Sequence, residues 1–224
     1  TENSTHAMDI HTWTAYFLAA TLIAISPGSG AILAMSHGLN YGVRRTHATI
    51  AGLQAGLLVI LLVAGAGVGS LLVASELAFS MVKTLGAAYL IYLGWSQWRS
   101  TSTLTPESGT STDADVLPAG RRWLSGFLTN VTNPKGIVFM VAVLPQFISP
   151  GRPLWLQLLV IALTTLAVDT VVMHGYAFAA SRLQTLFKNA QAIKLQNRVF
   201  GGLLMAVGTG LFFVKRSQQV AQPI

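Results

Sequence analysis

The stretch Leu22 to Asn40, LIAISPGSGAILAMSHGLN, limits what this chain can fold into more than any other. Apolar residues flank Ser26-Pro27-Gly28-Ser29-Gly30 on both sides, and only His37 can carry charge there. Pro27 has no N–H and crowds the carbonyl four residues back, that of Ile23. Gly28 and Gly30 loosen the turn that follows. An unbroken helix is therefore excluded, and two half-helices meeting at membrane depth are predicted. Lipid offers no hydrogen bonds, so backbone groups freed at such a break must be met by protein, water or cargo. Interrupted helices of this kind are where secondary transporters hold their substrates.

Composition places that stretch in a bilayer. The 224 residues are 52% hydrophobic and only 9% charged, against roughly 25% charged in a soluble domain. Mean hydropathy is +0.58. One integral membrane domain is expected over residues 8–224, with Thr1 to Ala7 set aside as an extension ahead of Met8. No cleavable leader is read, since the first apolar segment lacks a basic flank and a small-residue cleavage site. The absence of Cys excludes disulfides and thiolate sites. The net charge of +7 does not imply nucleic acid, because the basic residues sit between apolar segments.

Six segments are long enough to cross a bilayer, which needs roughly 20 mostly apolar residues, at roughly 13–39, 48–74, 78–98, 123–148, 154–180 and 197–214. Ser100 to Gly120, rich in Ser, Thr, Pro and acids, reads as a solvated linker. Short turns are expected near Ser75-Glu76 and at Ser149 to Pro153. Nine Lys and Arg gather on one side, in the loops at Arg44-Arg45, Arg99 to Arg122 and Arg182 to Arg198, against Arg152, Lys215 and Arg216 on the other. The richer side is assigned to the cytoplasm, with both termini outside. A five-span arrangement with the N-terminus inside is the alternative.

The chain also echoes itself. Ser26-Pro27-Gly28 interrupts the first segment and Asn133-Pro134-Lys135 the fourth; Lys83-Thr84-Leu85-Gly86 opens the third and Arg198-Val199-Phe200-Gly201 the sixth. The fold class is thus an all-α membrane protein of two three-helix repeats, 8–99 and 121–216, joined by the linker. Three being odd, the second repeat is inverted, with the site between them at the midplane.

Asp169 lies near the centre of the fifth segment, where a carboxylate costs at least ~2.5–3.5 kcal/mol. It is either a structural partner of another helix or a site for a cation or proton. Lys135 follows the second break, either paired with Asp169 or contacting substrate. Pro134 is expected to free the carbonyl of Asn130. Gln54, within a run of small residues, reads first as an interhelical hydrogen bond. N–H groups of Gly28, Ser29 and Gly30 open a half-helix whose positive end attracts a carboxylate. The carbonyls of Ile23 and Asn130, with Asp169, attract an ammonium, which together describes a site for a small zwitterion. Trp95 and Trp98 read as an interfacial belt, and Lys83 as a snorkelling cation. The five His show no ligand spacing, so neither metal nor cofactor is expected. Ser29 with a His as an intramembrane hydrolase lacks any pairing motif, and a channel lacks a ring of acids.

The runs SPGSGAILAMSHGLNYGVRR, IAGLQAGL, LGAAYLIYLGWSQWR and LTNPKGIVFMVAVLPQFI, with the Asp169 segment, resemble the LysE/RhtB amino-acid exporters from Met8 to about Val214. The resemblance implies a multi-pass bacterial inner-membrane protein that exports homoserine, its lactone and threonine by exchange with protons. It puts Pro27, Gly28, Asn133, Pro134, Lys135 and Asp169 at the family's motif positions. The expected partners are a small amino acid, protons and membrane lipid, with self-association left open. Export of another amino acid, or of a cation by a protein of related build, is the alternative.

Overall fold

The computed structural model describes residues 8–73, 76–99, 117–149, 151–182 and 190–213. The extension 1–7, most of the linker, the turn residue Ser75 and the Lys215-Arg216 pair lie outside the described residues. The described chain is all-helical: α1 (Ile10–Ile25), α2 (Ser29–Val73), α3 (Glu76–Arg99), α4 (Ala119–Val131), α5 (Pro134–Val143), a 3₁₀ turn (Leu144–Phe147), α6 (Leu154–Arg182) and α7 (Ala190–Phe213).

Each boundary has a local cause. Asp9 caps α1, its carboxylate accepting from the N–H groups of His11 at 3.0 Å and Thr12 at 3.4 Å. Ser26, Pro27 and Gly28 separate α1 from α2, as the prolyl ring requires. Gly42, at φ 74° and ψ 165°, then turns the path of α2, a conformation that favours glycine. The turn falls between the expected segments 13–39 and 48–74. Pro134 sits at the start of α5, where its missing N–H costs nothing. The paired helices α4 and α5 with the 3₁₀ turn bend by 49°. Gln157, fully buried, ties down the turn before α6: its amide donates to the carbonyls of Ser149 (3.0 Å) and Arg152 (3.1 Å) and accepts from the N–H of Ser149 (2.8 Å).

By length and composition, Ser29–Gly67 and Leu154–Arg182 suffice to cross a membrane, and α4 with α5 makes a third span if the bent pair is counted as one. Alone, α1 has 16 residues, about 24 Å, less than the ~30 Å hydrocarbon core. The sixth expected segment begins earlier than 197. Ala190 to Asn197 is already helical, so Arg198 lies inside α7 rather than opening it. Likewise α3 starts at Glu76, placing Lys83 two turns in.

Packing is most extensive between α2 and α4, between α2 and α6, and between α3 and α7. The backbones of α2 and α4 nearly touch. A Cβ at Gly52 would overlap the carbonyl of Trp123, and one at Gly126 that of Thr49. Small residues allow this approach, which in lipid replaces the hydrophobic effect as the attraction between helices. Large apolar residues elsewhere face outward, among them Leu62, Val63, Leu163 and Val171, as lipid-facing positions should.

Candidate functional site

The two breaks meet. Lys135, the second residue of α5, donates from Nζ to the carbonyl of Ile23 at 3.1 Å and to that of Ser26. The carbonyls left over at the end of α1 are therefore held by a cation from the other break, at the negative end of that helix. Tyr176 on α6 adds its hydroxyl, which donates to the carbonyl of Ile25.

One expectation is corrected here. The carbonyl of Ile23 is not left for an incoming ammonium, because Lys135 occupies it. The carbonyl of Asn130 accepts one bond, from the N–H of Asn133 at 2.9 Å as α4 ends.

Between the breaks lies a cavity of about 60 Å³ walled by α1, α2, α4, α5 and α6. At ~10–15 Å³ per water on that measure it holds a few waters, or a molecule the size of a small amino acid. Its polar wall consists of Gly28, Gly30, Asn130, Asn133, Lys135, Thr165 and Asp169, and its apolar wall includes Leu57, Phe139 and Met140. Asp169 projects from α6 and accepts from the Gln54 amide at 2.7 Å. Gln54 Oε1 is buried without a partner. Asp169 and Lys135 share the cavity and interact electrostatically, yet each is hydrogen-bonded to something else. The simple ion pair is not the arrangement adopted.

Asn130 donates to the carbonyl of Leu53 at 2.7 Å, fixing the end of α4 against α2. Asn133 caps α5, its side-chain oxygen accepting from the N–H of Lys135 at 3.1 Å. Of the other residues singled out, Pro27 and Pro134 shape the breaks from beside the cavity. Ser29 is exposed, which leaves only its N–H, in the first turn of α2, to face the break.

Sequence reasoning missed several polar contacts. Tyr16, fully buried, bonds Thr165 at 2.5 Å, joining α1 to α6 one turn from Asp169. His37 bonds Thr49 at 2.6 Å. His47 and His174, 127 positions apart, meet at 2.7 Å, while His174 also bonds the carbonyl of Thr170. Among the described residues no three His, Cys, Asp or Glu gather as metal ligands.

A family model described as LysE type translocator matches residues 21–215. This chain belongs to the LysE family. A homoserine/homoserine lactone efflux protein of Salmonella typhimurium is 44% identical over 201 residues, covering 90% of this chain and 96% of the relative. An uncharacterized membrane protein of Vibrio cholerae is 41% identical over the same shares. A leucine efflux protein of Klebsiella pneumoniae is 29% identical over 83% of this chain and 87% of the relative. No solved structure matches. The LysE assignment and the apolar spans make this a translocator of the bacterial inner membrane that crosses it more than once. Both breaks and Asp169 fall inside the segment that matches the LysE model.

Proposed function

We propose that the protein exports small amino acids with a free amine, homoserine, homoserine lactone and threonine foremost, and that it exchanges them for protons. The observation that carries the reading is the cavity in which Asp169 faces Lys135 and the first turn of α2. The ammonium is taken by Asp169, with the unpartnered Gln54 Oε1 as a second acceptor. A carboxylate is taken by the remaining N–H of Lys135 and by the opening turn of α2, where N–H groups have no helical partner. A lactone has only the amine to offer, so the carboxylate side is optional and the Asp169 side is not. The same carboxylate, empty of amine, is the group that carries the returning proton. The names of the relatives support the choice of cargo, and the leucine relative supports a site adaptable to other side chains.

The architecture proposed with it has six crossings: α1 with the opening of α2, the rest of α2, α3, α4 with α5, α6 and α7. They form two inverted units. The packing pattern supports this. The second crossing of one unit lies on the broken crossing of the other, as α2 does on α4 and α6 on the opening of α2, and the third crossings, α3 and α7, pair.

Uptake into inside-out vesicles with an acid lumen is the test. Labelled homoserine, threonine and homoserine lactone should each accumulate, and collapse of the proton gradient should abolish accumulation. Asp169→Asn should reduce uptake of all three to the level of vesicles without the protein. Retained, gradient-driven uptake by that variant would refute the assignment of Asp169.

A further inference from the structure

Away from the cavity, a guanidinium is buried with no acidic partner among the described residues. Arg122, in the second turn of α4, is 7% exposed. Its Nη1 donates to the carbonyl of Leu117 at 2.8 Å, just ahead of the helix. Its Nε is buried and has no partner. The guanidinium carbon lies 5.7 Å from the ring centre of Tyr41. His37, also 7% exposed, stands against that same ring at 5.0 Å, and is near enough to interact electrostatically with Arg122. The first turn of α4 carries no acidic residue, and its cap, Pro118, supplies no side-chain bond.

Stacking on Tyr41 and one carbonyl bond leave most of the guanidinium's donors unused. Arg has five N–H donors in a planar fork that matches the two oxygens of a carboxylate or phosphate. A buried charge is retained where something of opposite sign meets it. The helix start beside it offers further unpaired N–H groups of the same polarity.

We infer that Arg122, with His37 and Tyr41 against it, forms a second binding site, for a single carboxylate or phosphate group. It lies at the end of the molecule to which exposed Arg44, Arg45 and Arg121 belong in sequence, the end the charge distribution assigns to the cytoplasm. Arg122, Gly126 and Asn130 form the buried face of α4. That face runs about 12 Å from the oxyanion site to the cavity wall. The oxyanion is therefore either the carboxylate of cargo waiting at the cytoplasmic side or the phosphate of a lipid headgroup.

The test uses the full-length protein in a neutral detergent. Its thermal midpoint is followed against sodium acetate and inorganic phosphate, with chloride at equal ionic strength as reference. Both oxyanions should raise the midpoint. Arg122→Gln should weaken the apparent affinity roughly tenfold to a hundredfold. Arg122→Lys, which keeps the charge without the fork, should fall between. Arg121→Gln, which removes the same charge from an exposed neighbour, should match the wild type. If Arg122→Gln does not fold, Arg122→Lys and His37→Gln carry the comparison, each with weaker binding expected. Homoserine against its lactone then identifies a cargo carboxylate, and phosphatidylglycerol against phosphatidylcholine a headgroup phosphate, in each case by a response that needs Arg122. No response beyond chloride, or equal loss in the Arg121 and Arg122 variants, would overturn the site. The proposal is independent of the cavity reading: in Asp169→Asn the Arg122-dependent acetate response should persist.

Discussion

At Thr132-Asn133 the chain carries its own repair, whereas at Ser26-Pro27-Gly28 it relies on residues more than a hundred positions away. Asn133 caps α5 with its side chain, Pro134 removes an N–H that would have been unpaired, and the carbonyl of Asn130 is met by the N–H of Asn133. All three devices lie within four residues of each other. At the end of α1 the N–H of Ser26 meets the carbonyl of Leu22. The carbonyls of Ile23, Ile25 and Ser26 are met by Lys135 and Tyr176 from distant helices. A break completed locally stays the same whatever its neighbours do. A break completed by a distant helix holds only while that helix is in place. If the two units rock against each other during transport, the first break is the one whose hydrogen bonds must change.

The largest test of that contrast is Lys135→Met, which keeps the stem and removes the donor. Hydrogen bonds to charged groups contribute about 1.5–3 kcal/mol each in water-soluble proteins, but polar contacts between membrane helices average nearer ~0.6. A loss of about 2–3 kcal/mol is expected. At ~2–4 °C per kcal/mol for a domain of this size, the midpoint in detergent should fall by roughly 5–10 °C. Lys135→Arg should recover part of it. Uptake of homoserine should fall further than uptake of the lactone, since only the former presents a carboxylate to this side chain. A midpoint shift no larger than that of a local capping mutation would remove the distinction between the breaks.

Asn133→Ala is that local mutation. Loss of an N-cap costs about 1 kcal/mol, so the midpoint should drop by only ~2–4 °C. Hydrogen exchange should rise in the first turn of α5 and not in α1. Faster exchange at the end of α1 would mean the second break also supports the first.

The same contrast explains what could be read from the residues alone. Both breaks were legible, because Pro beside Gly or Asn in an apolar run allows few alternatives. Asp169 stands out in the sequence because burying a carboxylate in a membrane span is costly, and it lines the cavity. The proline rule also identified correctly that Ile23 loses its usual partner. What it could not supply was the replacement, since Lys135 is 112 positions away. Tyr16 with Thr165 and the pair His47–His174 were hidden for the same reason. The early start of α7 was missed for a different one. Ala190 to Asn197 is polar enough to look like a loop, yet Ala, Gln, Lys and Leu are good helix formers. Apolarity marks where a helix enters lipid, not where it begins.

Tyr176→Phe gives the smallest expected effect and the sharpest test. It removes one hydroxyl from the carbonyl of Ile25 and leaves the ring in place. The cost should be about 0.6 kcal/mol, roughly 1–2 °C in the midpoint, which alone would barely be noticed. Its value lies in combination. Tyr176 and Lys135 come from different helices, α6 and α5, but finish the same four residues of chain, Ile23 to Ser26. Mutations that act on one short stretch of backbone couple, and coupling of at least ~0.5 kcal/mol is expected between Tyr176→Phe and Lys135→Met. Tyr176→Phe with Asn133→Ala should add within error, because the second break is capped from within. Additivity in the first pair would mean that the end of α1 does not behave as one unit, and that the borrowed cap is two unrelated contacts.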